Sequence, residues 1–318
     1  MPINRCLYCY LHLTEGQTDF HPACSRKIFG TVNAPLLPYS ELQMNDLALQ
    51  VVQSQMTVTG VQPKLSLDIN DENKAGLKRF TIVGLWGSYI LKPPTHNYPH
   101  LPEVEDLTMH LAAIANINTV PHSLIRLQTG SLAYITKRID RNKKNKLHME
   151  DMCQLTERLT EDKYHGSYEQ VAKAILKYSV NPVLDTINFF EQVLFSFLTG
   201  NADMHLKNFS LINLPGIGYQ LSPAYDMVAT ALVNPSDDED LALTLNGRKK
   251  KIRHSDFTAA FTTLKLDARQ QENMFKRMNK SILPWIAFID NSFLNEEMKV
   301  VYKQLILDRQ QRLFADGE

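Results

Sequence analysis

The chain has 318 residues, 44% hydrophobic and 21% charged, which fits a globular protein with a full core and excludes a disordered one. Its 34 Lys and Arg balance 34 Asp and Glu, so no bulk charge draws it to nucleic acid or an anionic membrane. Four cysteines make no disulfide framework, Met1 to Cys6 lacks the basic-then-apolar run of a signal peptide, and no stretch approaches the ~20 apolar residues that span a bilayer. A cytoplasmic protein without a membrane segment is expected.

The first 40 residues read as irregular, with Cys6, Cys9, His21 and Cys24 followed by Gly30 and the proline-spaced Pro35-Leu36-Leu37-Pro38. From about Val51 short strands begin: Lys64–Ile69 alternates, Asn70–Gly76 reads as a turn, Phe80–Val83 resumes, and Ser88–Lys92 is stopped by Pro93-Pro94. Glu103–Asn116 fits a helix with acids in its first turn, and Ser131–Ile139 returns to strand. After residue 147 the period turns helical. Ser167 caps Tyr168–Tyr178, and Val183, Ile187, Phe190, Leu194 and Phe197 recur at three- and four-residue steps up to Gly200. Phe209–Ile212 and Tyr219–Leu221 form a hairpin across Pro215-Gly216, and helices fit Asp256–Leu264, Asp267–Met278 and Asn295–Phe314. Three segments are expected: an irregular 1–49, a strand-rich 50–146 and a helical 147–318.

Chemistry concentrates in Thr199-Gly200-Asn201-Ala202-Asp203-Met204-His205-Leu206-Lys207-Asn208-Phe209. Phosphoryl transfer needs a carboxylate to orient the attacking hydroxyl and oxygen ligands for Mg²⁺. Asp203, with Asn208 five residues on, lies on a loop between a buried helix and a short strand, and meets the first need and half of the second. The missing metal carboxylate should follow the hairpin, where Asp226 ends Leu221-Ser222-Pro223-Ala224-Tyr225-Asp226. Lys92 ends a strand, where protein kinases place a phosphate-binding lysine, and Glu105 on the next helix is positioned to pair with it. Each piece alone is common, since Asp203 by itself would be an ordinary residue after a helix. The order of lysine, helix glutamate, Asp-x4-Asn, hairpin and aspartate points to a kinase-like site.

Two other features carry a reading of their own. Cys6-x2-Cys9-x11-His21-x2-Cys24 offers two close pairs of soft ligands, a candidate Zn²⁺ knuckle whose alternative is reduced thiols beside a surface histidine. The basic runs at Lys137–Lys146 and Arg248–Arg253 read as solvated faces, Ser236–Asp240 as a mobile acidic loop, and Cys153 as core packing.

The sequence resembles the HipA family of serine/threonine kinases, the toxins of bacterial toxin–antitoxin modules. The matching segments are Thr59–Leu67, Tyr89–Pro93, Leu101–Glu105, Lys137–Arg141, Glu150–Gln154, Asn201–Asn208 and Ser222–Asp226, in the family's order. The resemblance implies an α+β, two-lobed protein-kinase-like fold with a small strand-rich N-lobe and a larger helical C-lobe. It implies Asp203 as catalytic base, Asn208 and Asp226 as Mg²⁺ ligands, and His205 and Lys207 near the ATP phosphates. Lys92 and Lys64 (in the loop opened by Gly60) would contact the nucleotide, and the Lys137–Ile139 backbone would form the hinge that reads adenine. A hydroxyl three residues before the loop glycine is the family's autophosphorylation site, usually a serine. Here it is Thr57; short forms can also use the position of Thr59, and Ser54 lies nearby. About 50 residues before the loop leave little room for the family's additional N-terminal subdomain, as in the short HipT-type toxins of HipBST modules. That form implies a small antitoxin protein supplying the missing part and a DNA-binding antitoxin, with nucleic acid contacted only indirectly. The expected activity is transfer of the ATP γ-phosphate to a protein serine or threonine, on the family's pattern an aminoacyl-tRNA synthetase. The alternatives are a small-molecule phosphotransferase on the same scaffold and a partner-binding pseudokinase.

Overall fold

The computed structural model describes residues 4–44, 46–47, 64–70, 78–83, 87–142 and 145–315. The chain divides into two compact units: residues 1–106, 120–139 and 291–294 form the first, and residues 107–119, 140–290 and 295–318 the second.

The first unit is built on a five-stranded antiparallel sheet. Its strands are β1 (Leu65–Asn70), β2 (Arg79–Ile82), β3 (Tyr89–Lys92), β4 (His122–Arg126) and β5 (Leu132–Lys137), in the order β2-β1-β3-β5-β4. Alternation in β1 sends Leu65 and Leu67 into the core while their neighbours stay half-exposed, the period-two pattern of a sheet with one buried face. The N-terminal segment, expected to be irregular, carries a short helix, α1 (Pro22–Phe29), started by Pro22 in its first turn and ended by Gly30 in left-handed backbone, φ 75°. Phe29 at its end meets Phe80 and Tyr89 of the sheet with ring centroids 5.6 and 6.1 Å apart. The Tyr89 hydroxyl donates to the Ile28 carbonyl at 3.1 Å, and its pKa is raised to about 12 by burial. Helix α2 (Leu101–Ile114) begins two residues earlier than its acids suggested.

The second unit is mainly helical. Ser167 and Gln170 form the reciprocal capping box of α4 (Tyr168–Tyr178), after the single turn α3 (Met152–Leu155). Helix α5 (Pro182–Thr199) is buried on every side from Phe189 onward, with Phe189, Phe190, Val193, Leu194 and Phe197 in the core. The expected hairpin is present as β9 (Ser210–Leu214) and β10 (Gly218–Leu221), after the two-residue strands β6 (Arg141–Asn142) and β7 (Asn145–Lys146) and the short β8 (Met149–Asp151). β8 adds a third strand beside β9; three residues are too few for a period to announce it.

Two expectations need correction. The helix expected over Asp267–Met278 is α8 (Ala268–Ile289), following α6 (Thr230–Val233) and α7 (His254–Thr263). It runs on through Pro284, which sits on the exposed face while Ile282, Trp285 and Ile289 are buried, so core packing outweighs the proline. Nor is Ser236–Asp240 a free acidic loop. Asp240 is buried, pairs with Arg309 and Arg312 of α9 (Glu296–Phe314), and accepts the Ile252 N–H at 3.0 Å. Both guanidinium groups lie over the Phe197 ring, at 5.0 and 4.9 Å. Asp238 and Glu239 in turn pair with Lys250 and Lys249 of the basic run. Cys153 is buried, as expected of a packing residue.

Candidate active site

In the first unit, Lys92 closes β3 and its ammonium pairs with Glu105 of α2; the two side chains are 4% and 1% exposed. The ammonium also lies 5.4 Å from the centroid of the Tyr134 ring on β5. Burying two opposite charges costs several kcal/mol per ion before their attraction returns it, so such a pair is weak evidence for stability and invites a functional explanation. The next residue, Asp106, accepts from the Tyr10 hydroxyl at 2.8 Å and lies 2.7 Å from the His122 ring, which fixes the helix at the turn that carries Glu105. Lys64 directly precedes β1 and is exposed. Along β5 the Lys137 N–H donates to Pro121 and the Arg138 N–H to Ser88, so both amides are engaged within the unit; Ile139 follows them half-buried. Gly60, Ser54, Thr57 and Thr59 lie outside the described residues.

In the second unit, α5 ends at Gly200, φ 73°, where a Cβ would stand 2.7 Å from Leu305 and 3.0 Å from Ala231. The chain is thereby turned into the loop Asn201–His205. Asn201 Oδ1 accepts the Asp203 N–H at 3.1 Å, and the Asp203 carbonyl accepts both the His205 N–H and Asn208 Nδ2, each at 2.8 Å. The Asp-x4-Asn spacing is therefore a closed loop. Because its amide nitrogen is engaged, Asn208 keeps its side-chain oxygen as an acceptor. Asp203 Oδ1 accepts from the Tyr164 hydroxyl at 2.6 Å. Burial and the nearby carboxylate charges, Asp203 foremost, push the Tyr164 pKa upward, so the phenol holds its proton and remains a donor.

His205 is buried, its Nδ1 has no hydrogen-bond partner among the described residues, and the Tyr164 ring stands edge-on to it at 4.9 Å. Burial lowers its pKa against the opposing charges of Asp203 and Asp226, so the imidazole is neutral near pH 7. Lys207 pairs with Asp151 at 2.6 Å, and the Lys207 carbonyl accepts from the Tyr225 hydroxyl at 2.9 Å. Asp226 holds left-handed backbone, φ 60°, a conformation costing roughly 1–3 kcal/mol that clusters at functional sites. Its charge and that of Asp203 both act on His205 and Tyr164, so the second unit gathers two carboxylates, an amide oxygen and a neutral imidazole.

Sequence reading missed Tyr164, Asp151 and Tyr225 as supports of this loop. Tyr164 lies 39 residues before Asp203 and Asp151 lies 56 before Lys207, distances no spacing rule reaches. Cys6, Cys9, His21 and Cys24 are also brought together, their ligand atoms all within 4.8 Å of one another.

Residues 56–286 match the family described as HipA-like C-terminal domain. A Haemophilus influenzae protein named "Putative kinase" is 33% identical over 211 residues, 62% of this chain and 59% of that protein. The Shewanella oneidensis "Serine/threonine-protein kinase toxin HipA" is 28% identical over 212 residues, 60% of this chain and 47% of that one. The chain spans about half the length of these curated relatives. Among solved structures, one described as the HipA, HipB and operator DNA complex of Shewanella oneidensis MR-1 matches with a TM-score of 0.67 at 22% identity, over 96% of this chain and 80% of that one. The Helicobacter pylori proinflammatory kinase CtkA matches with a TM-score of 0.54 at 16% identity, over 78% and 94%. These two likenesses carry the fold: α+β, of the kinase-like type, with strand-rich and helical parts.

Proposed function

We propose a function for this chain from its family: it belongs to the HipA-like C-terminal domain family, which residues 56–286 match. In this reading it is an ATP- and Mg²⁺-dependent kinase that transfers the γ-phosphate to serine or threonine hydroxyls of a protein and to its own loop. The observation that carries it is the closed Asp203–Asn208 loop. With Asp203 Oδ1 taken by Tyr164, the other carboxylate oxygen is left to accept the attacking hydroxyl's proton, the orienting task phosphoryl transfer requires. Asn208 Oδ1 and the Asp226 carboxylate are hard oxygen donors of the kind Mg²⁺ takes. The chemistry bound Mg²⁺ supplies is charge neutralisation on the phosphates.

Lys92, held by Glu105, and Lys64 contact the nucleotide in this reading. With the Lys137 and Arg138 amides engaged elsewhere, Ile139 supplies the hinge donor to adenine. His205, neutral, lends a hydrogen bond rather than a charge, and Lys207, anchored by Asp151, holds the loop beside the phosphates. The setting is a toxin–antitoxin module of the HipT type, with a small antitoxin protein and a DNA-binding antitoxin as partners. The Shewanella structure, described as HipA with HipB and operator DNA, supports a DNA-binding partner of that kind.

The test compares phosphopeptides in cells expressing the wild-type chain and Asp203→Gln, with intact masses of both purified chains. Protein Ser/Thr sites that rise only with wild type, and phosphate at Ser54, Thr57 or Thr59 of the wild type alone, are expected. Nucleotide turnover on small molecules without any protein site would favour a small-molecule phosphotransferase. Mg-ATP binding without turnover would mark a pseudokinase.

A further inference from the structure

The N-terminal segment carries a second constellation that phosphoryl transfer does not use. Cys6 to Tyr10 is a tight turn: the Tyr10 N–H donates to the Cys6 carbonyl at 2.9 Å and the Cys6 N–H to Leu11 at 2.8 Å, with Tyr10 in left-handed backbone, φ 63°. This turn aims two thiols in one direction. His21 and Cys24 come from the start of α1, where His21 is the N-cap and Cys24 lies in the first turn. Cys9 Sγ is 3.4 Å and Cys24 Sγ 3.8 Å from His21 Nδ1, and the His21 N–H approaches Cys6 Sγ at 3.5 Å.

These spacings match the edges of a metal tetrahedron. Zn–S bonds of about 2.3 Å and Zn–N of about 2.0–2.1 Å place sulfur and nitrogen about 3.6 Å apart and two sulfurs about 3.8 Å apart. Hydrogen bonding to His21 does not by itself account for the cluster. His21 Nε2 lies 2.9 Å from the His12 carbonyl, which only accepts, so Nε2 carries the proton and Nδ1 presents a lone pair. One lone pair takes one S–H, yet two sulfurs face it. A carbonyl that fixes the tautomer of a ring turned toward thiols is the outer-shell support typical of a metal-bound histidine.

We infer that Cys6, Cys9, His21 and Cys24 form a four-coordinate Zn²⁺ site that clips the Cys6–Tyr10 turn to the start of α1 within the first unit. Three thiolates and one imidazole, soft ligands in tetrahedral array, select zinc over magnesium, calcium or manganese, and a complete set of four protein ligands marks a structural rather than a catalytic site. The clip holds two anchors in place. Leu7 accepts from the Ser123 hydroxyl and the Leu124 N–H of β4, and Tyr10, forced into its conformation by the turn, donates to Asp106 beside Glu105. Metal loss therefore loosens residues 4–30 and removes a support from the helix that carries Glu105. The site is independent of whether the chain phosphorylates anything.

The test uses the full chain purified without chelator. Elemental analysis is expected to find one zinc per chain, lost in Cys24→Ser and Cys9→Ser and retained in Cys153→Ser, which removes a buried thiol outside the cluster. Replacement by Co²⁺ should give the visible absorption of a tetrahedral sulfur-rich site, and chelation should lower the melting temperature of wild type but not of Cys24→Ser. If the cysteine variants fail to fold, the wild-type stoichiometry and cobalt spectrum still decide. A folded wild-type chain without zinc whose four thiols all titrate, a disulfide between any two of the three cysteines, or zinc retained in both ligand variants would overturn the assignment.

Discussion

Replacing Lys92 separates the two roles its ion pair could have. Lys92→Met leaves the Glu105 charge at a site 1% exposed without its ammonium. Breaking a buried pair in this way costs about 3–5 kcal/mol. At roughly 2 °C per kcal/mol for a chain of this size, the melting temperature should fall by about 6–10 °C. Lys92→Met combined with Glu105→Leu replaces both charges by apolar groups of similar length, a change that is often neutral or stabilising by about 1–4 kcal/mol. The double variant should therefore melt at or above the wild-type temperature. It should nevertheless fail to bind Mg-ATP, measured by calorimetry, because the cation proposed to meet the phosphates is gone. Thermal melts of wild type, both single variants and the double variant complete the cycle. Normal Mg-ATP affinity in a well-folded double variant would refute the role given to Lys92. An unchanged melting temperature in Lys92→Met would refute the buried pair itself.

Other outcomes follow from the second unit. Asp240→Ala strands Arg309 and Arg312 on the Phe197 ring and should cost about 3–5 kcal/mol in urea unfolding, with no direct effect on phosphotransfer. Tyr164→Phe removes a hydrogen bond to a carboxylate, worth about 1.5–3 kcal/mol, and should lower kcat while leaving the KM for ATP unchanged; an equal rise in KM would place Tyr164 on the nucleotide instead. His205 binds its proton less readily folded than unfolded, so its contribution is complete above about pH 6.5 and is lost as pH falls toward its depressed folded value. The slope from this one group is at most about 1.4 kcal/mol per pH unit, and urea melts of wild type and His205→Asn at pH 7.5 and 5.5 should converge at the lower pH.

What could be read from the chain was local. The cap Ser167, the terminator Gly200 and the hairpin at Pro215-Gly216 announce themselves within a few residues, and the structure has all three. Asp203 and Asn208 were legible because their partnership spans one loop. The same local logic misled at Pro284, where burial of Ile282 and Trp285 carries α8 onward. It misled again at Asp240, whose partners Arg309 and Arg312 stand about 70 residues later and turn an apparent solvated acid into a buried one.

Besides Tyr164, Asp151 and Tyr225, further partnerships that sequence cannot display position the second unit's chemistry from a single helix. Asp185, buried in the first turn of α5, accepts from the Ser179 hydroxyl at 2.5 Å and from the Leu221 N–H at 2.8 Å. That bond fixes the end of β10 five residues before Asp226. At the other end of α5, Gly200 launches the loop of Asp203 and Asn208, and Thr230 accepts the Ala202 N–H at 2.8 Å to hold it. One buried helix thus sets the origin of both candidate metal-ligand segments, so their spacing depends on the rigidity of α5. Its aromatic packing through Phe189, Phe190 and Phe197 then serves geometry as well as stability, and a cavity cut there, such as Phe190→Ala, should disturb Asn208 and Asp226 together.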